Sequence, residues 1–189
     1  VNGGDGNDTY NVSAVSVGPF VADGQGGTDV ISTTGLISSS GTVALMAETI
    51  NLGAGITTAN STITLNGNVT LGAAVALNSG VGAGDIDVNG SISGNQALTL
   101  TAGTGSIDVS GAVSIASLQI NSSVAAVFND TVALTGGASV QGAAGDVRFL
   151  NGLSAGAAST FINTGTLQLG DATSDVTSLT GGLAHTAGQ

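Results

Sequence analysis

The sequence predicts an all-β fold: a parallel β-helix of about nine coils near 21 residues each, opening on a β-roll-like N-terminal part. Three observations carry this. The first is composition. The 189 residues include 32 glycines, one proline and no cysteine or tryptophan, and although 41% are hydrophobic only 3% are aromatic. A core made from small and branched aliphatic side chains must be thin. Disordered Gly/Ser-rich chains carry more proline and far fewer aliphatic residues than this one. The second is local pattern. Segments such as "STITLNGNVTL", "DIDVNGSIS", "ALTLTA", "SIDVSGAVSI" and "VRFLNGLS" alternate apolar with small polar residues and break at Gly or Asn, as short strands and turns do. The third is long-range recurrence. Val43, Ile63, Ile86, Ile107, Phe128, Phe149 and Leu169 form one track, and Tyr10, Ile31, Leu52, Val75, Leu98, Leu118, Val140 and Phe161 a second, both with a period near 21. A fixed period of this size marks a solenoid, in which each coil buries its apolar face only against its neighbours. Nine coils at one strand spacing each, ~4.8 Å, give a rod roughly 43 Å long.

The elements follow in chain order. Residues 3–11, "GGDGNDTYN", fit the nonapeptide pattern GGxGxDxUx at every defined position, with Asp8 as the aspartate and Tyr10 as the large inward residue. Residues 24–32, "GQGGTDVIS", fit it with one departure, Gln25 in place of the second glycine. Asp29 lies one period after Asp8 and Ile31 one period after Tyr10, so the two turns are expected one above the other. An ion between them would collect both carboxylates and turn carbonyls; Asp5, Asn7 and Asp23 stand close enough in sequence to assist. The division expected is residues 1–32 as calcium-binding coils and 33–189 as β-helix coils continuous with them. In "VALMAETINL" the alternation reads as strand, and no stretch of ten residues holds a helical stripe. Asp87 and Asp108, one period apart between inward neighbours, are expected to face solvent on adjacent strands, where like charges repel.

The two nonapeptides resemble the calcium-binding repeats of RTX (repeats-in-toxin) secreted bacterial proteins. In that family the aspartate of the repeat, here Asp8 and Asp29, is a Ca²⁺ ligand, and the ion orders the roll after export. Later segments such as "GAGDIDVNGSISGNQALTLTAGTGSIDVSGAVS" are similar to the β-strand repeats of filamentous-haemagglutinin-like surface adhesins. Together these resemblances imply an extracellular or cell-surface structural solenoid.

Charge narrows the partners. Twelve acidic residues face one basic residue, Arg148, for a net charge of −11. Nothing here can neutralise phosphates, so no nucleic acid is expected, nor an anionic membrane surface. No apolar run is long enough to span a bilayer, so membrane insertion is not expected either. Eleven of the acids are Asp, which suits turns and hard oxygen-ligated cations. With Val rather than Met first, the sequence reads as a processed chain or an internal piece of a longer one. His185 and Arg148, far apart, do not suggest a catalytic cleft, and no enzyme is expected. The leading expectation is a non-enzymatic filament or stalk whose copies or neighbouring repeats stack end to end, since the last residues, "TGGLAHTAGQ", include no polar cap. The alternative is a binding module taking glycan or ice on a flat face, with the Thr pairs at 62–64 and 99–101 as candidates.

Overall fold

The structure is a computed structural model and describes residues 1–186. Twenty-one strands, all paired in parallel, wind into a three-sided solenoid of about nine turns. The three faces meet at corners where Gly, Asn, Asp and Ser replace the alternating pattern.

Inward side chains form one continuous column on each face. On the first face the column runs Ala22, Leu45, Leu65, Val88, Val109, Phe128, Phe149, Leu169. On the second it runs Tyr10, Ile31, Ile50, Val69, Ile92, Val113, Val132, Leu153. On the third it runs Val15, Ile37, Ile56, Leu77, Leu100, Ile120, Val140, Phe161, His185. Away from the two ends these residues are buried. The interior is narrow, so aliphatics fill most of it. Only toward the C-terminal end do rings meet: Phe128 stacks on Phe149 at 5.0 Å and 11°, and Phe161 meets Phe149 edge-on at 6.2 Å.

The expected parallel β-solenoid of about nine coils holds, and the expected columns need four corrections. Leu52 pairs with Thr33, while Ile31 pairs with Ile50. Val75 belongs to the third face, and Leu52 is followed on the second face by Leu71. Phe128 lies over Val109, with Ala126 over Ile107. Leu118 pairs with Ala138, while Val140 follows Ile120 on the third face. The physical reason is that the lap length varies, from Ile31 to Ile50, nineteen positions, up to Phe161 to His185, twenty-four. A constant step therefore slides by one inward position within a strand whenever a corner gains or loses residues. The Thr pairs also separate: Thr64 belongs to the first face, with Thr62 just before its strand, and Thr99 and Thr101 to the third.

Corners leave backbone N–H groups without a strand partner, and short polar side chains supply acceptors. Asn7, Asn60, Asn68, Asp85 and Asp146 each accept an N–H from the following coil, from Thr28 (2.9 Å), Gly82 (2.7 Å), Ser91 (3.3 Å), Ser106 (2.7 Å) and Thr166 (2.8 Å) respectively.

Candidate metal site

The two nonapeptides occupy the corner between the first and second faces on successive coils, in register from Asn2 against Asp23 to Val12 against Thr33. Their backbones match. Gly4 has φ 96° and its partner Gln25 φ 70°; Gly6 has φ 123° and Gly27 φ 135°. The one departure from the repeat thus keeps the left-handed conformation of the glycine it replaces, at the steric cost an L side chain pays there.

The first glycine of each nonapeptide has a different role. A Cβ on Gly3 would lie against Oδ2 of Asp8, 2.6 Å from the Tyr10 hydroxyl oxygen and 2.7 Å from the carbonyl oxygen of Gly24. On the next coil a Cβ on Gly24 would collide with the carboxylate of Asp29. In both turns the aspartate folds back over the opening glycine.

The two acidic turns are in direct vertical contact. The Asp8 N–H donates to Oδ1 of Asp29 at 2.8 Å, and the Asp29 N–H donates to Oε2 of Glu48 at 2.7 Å, so three carboxylates climb one corner over three coils. Asp29 is only 1% exposed, whereas Glu48 is exposed. The Asp29 N–H holds the Glu48 carboxyl below its ordinary range. Burial, with the charges of Asp8, Asp29 and Asp23 behind it, pushes the Tyr10 hydroxyl above its own. Oδ2 of Asp8 is buried and has no hydrogen-bond partner. Beyond this corner an open groove of about 420 Å³ is bordered by Asp23, Gln25, Asp29, Glu48, Asn66 and Asn68.

The other expected ligands are placed less directly. Asp5 is exposed and pairs with Gly26. Oδ1 of Asn7 is taken by Thr28, and Oδ1 of Asp23 accepts the Gln25 N–H at 3.0 Å. Among the described residues no three His, Cys, Asp or Glu side chains converge on one point. The oxygens available at the corner are therefore Oδ2 of Asp8, the Gly24 carbonyl and the second oxygen of Asp29. These are hard donors of the kind Ca²⁺ takes, and the orphaned Oδ2 of Asp8 is the observation that fits a cation there.

Sequence reasoning missed Glu48. It follows Asp29 by nineteen positions and lacks the flanking glycines, so no repeat pattern reaches it. The available signal was that it is the chain's one glutamate and stands close to one lap beyond Asp29.

Elsewhere, Asp87 and Asp108 pair directly as expected, Asp87 half-buried and Asp108 exposed. Burial first, then the charges of Asp85 and Asp108, raises the Asp87 carboxyl. Arg148 pairs with Asp146 on the first face at 3.1 Å, and His185 is exposed on the last coil of the third. The chain matches no protein-family model, and no curated protein or solved structure is detectably similar to it.

Proposed function

We propose that this chain is a non-enzymatic structural β-solenoid of an extracellular fibre, adhesin stalk or matrix filament, ordered by calcium at its N-terminal corner and extended by end-to-end stacking. The observation supporting calcium is the vertical contact of the two acidic turns, with Oδ2 of Asp8 buried and unpartnered. Asp8, Asp29 and the Gly24 carbonyl would hold the ion, with water completing its six to eight oxygens. A bound Ca²⁺ would offset the repulsion of stacked carboxylates in a chain of net charge −11.

The observation supporting extension is that the inward columns are only partly buried at the first and last described coils. Tyr10, Val12, Val15 and Phe20 at one end, and Leu167, Leu169 and Leu179 at the other, are only partly buried. A coil of the same cross-section is the natural cover for such a rung, and its backbone would continue the parallel ladder.

The test is thermal melting and electron microscopy of one sample across a calcium titration, beside Asp29→Asn. The expected result is a melting temperature that climbs with calcium in the native chain, less so in the variant, and rods longer than one molecule. A melting curve indifferent to millimolar calcium would refute the ion's role, and single short particles at every concentration would refute the stacking.

A further inference from the structure

The three faces differ sharply in charge. Every Asp, Glu and Arg lies on the first face or at its two corners; the strands of the second and third faces carry none, but the second adjoins the corner that holds Asp5, Asp8, Asp29, Glu48, Asp130, Asp171 and Asp175, whereas the third adjoins only Asp85 and Asp146. In a chain of net charge −11, the third side is thus free of fixed charge in its strands and meets the fewest acids at its edges along its whole described length. In a three-sided rod that side lies opposite the corner of Asp8, Asp29 and Glu48.

Its outward columns are short and polar. One runs Ala76, Thr99, Gln119, Ser139, Thr160, Ala184 and the next Ser16, Ser38, Thr57, Asn78, Thr101. The margins add exposed aliphatics. Leu36 is 51% exposed at the corner where the third face begins, and Val81 and Val124 are 83% and 58% exposed where it ends. On that second margin Gly103 packs on the backbone of Val81 and Gly145 on the backbone of Val124, leaving no room for a Cβ at either glycine.

We propose that the third face is a lateral self-association surface, on which a second copy of this chain packs side by side. Charge selects the occupant. Two copies, each of net charge −11, repel wherever the first face or its acidic corners approach one another, and of the two uncharged faces the third is the one that keeps the crowded corner of Asp8, Asp29 and Glu48 farthest from a neighbouring rod. Depletion of charge is also what distinguishes the buried centre of protein interfaces. Short Ser, Thr and Ala side chains lose little rotamer freedom on contact. A strip about 43 Å long and about 12 Å wide, from nine coils and mostly three to four residues of strand, offers about 500 Å² per copy, about 1,000 Å² for the pair, the lower end of a specific interface. The face offers no outward aromatic ring for a glycan to stack on, Phe161 pointing inward, and Ala76 and Gln119 interrupt any uniform threonine array for ice. A twofold pairing of like strips closes a dimer and adds thickness where end-to-end stacking adds length. The inference does not depend on calcium.

The test is the solution mass of the chain as a function of concentration and salt, with two matched double variants. Thr99→Glu with Gln119→Glu places two stacked carboxylates mid-strip on the third face, and Ser93→Glu with Ser114→Glu places two on the second face of the same coils. Equal melting temperatures confirm equal folding. The native chain is expected to dimerise more strongly as salt rises, the third-face variant to associate at least about tenfold more weakly, and the second-face variant to match the native chain. The chain has no cysteine, so Gln119→Cys should give an oxidised dimer where Ser114→Cys does not. A monomer at every concentration and salt, equal weakening by both double variants, or equal cross-linking at both cysteines would overturn the inference. Linear oligomers indifferent to the third-face variant would also overturn it while leaving end-to-end stacking intact.

Discussion

At Gln25 a side chain with a Cβ occupies a left-handed backbone position, one coil above a glycine doing the same. The left-handed cost for an L residue is about 1–2 kcal/mol, and glycine's extra unfolded freedom returns about 0.5–1 of it. Gln25→Gly is therefore expected to stabilise the chain by about 0.5–1 kcal/mol, read by chemical denaturation. At Asp29 the hydrogen bond and the charge can be separated. Asp29→Ala strips the acceptor from the partly buried Asp8 N–H and should cost about 1–3 kcal/mol, whereas Asp29→Asn keeps an acceptor oxygen and should cost less. Four of the acids are set apart by their surroundings. Glu48, Asp146 and Asp175 are held low chiefly by backbone N–H donors, so the stability they add is present above the ordinary carboxylate range and lost as pH falls through their lowered folded values. Asp87 has the opposite sign: its raised folded value means a penalty at neutral pH that is relieved on acidification. Asp87→Asn should raise the melting temperature at pH 7 and leave it little changed near pH 3.

Among the strands, the first-face column is aliphatic until Phe128 and Phe149, whose rings stack with Phe161 against them. Truncating Phe149, the middle ring, should cost about 3–5 kcal/mol, and equilibrium unfolding should lose the C-terminal coils before the aliphatic ones. The strands themselves were legible in the sequence because alternation is set by the pleat, and a buried column needs an apolar residue at every second position. Ile86 over Ile107 and Tyr10 over Ile31 could be read directly. The exact register was less so. Between Ile31 and Ile50, and between Val109 and Phe128, a lap is two residues short, and the shortening takes place in corners whose small residues resemble one another too closely to count. The acidic corner was half legible for the same reason: Asp8 and Asp29 sit in nonapeptides of equal length, while Glu48 sits in a lap that had already contracted. The acceptor role of the corner Asp and Asn side chains left no sequence signal, because it depends on which coil lies above.

Seen as one molecule, the rod separates its charge from its neutral side. Self-repulsion along the acidic faces destabilises the folded form, so added monovalent salt should raise the melting temperature at pH 7 even without calcium. A charge-reducing pair such as Asp87→Asn with Asp108→Asn should flatten that dependence, since these two lie in direct register. The unequal lap lengths have a consequence for how such a chain changes over time. Nineteen residues or twenty-four close the same triangle, because the surplus is carried outside the stacked ladders. Single-residue insertions and deletions should therefore be harmless at the bends and ruinous within the straight sides, and duplication or loss of a whole lap would change only the rod's height.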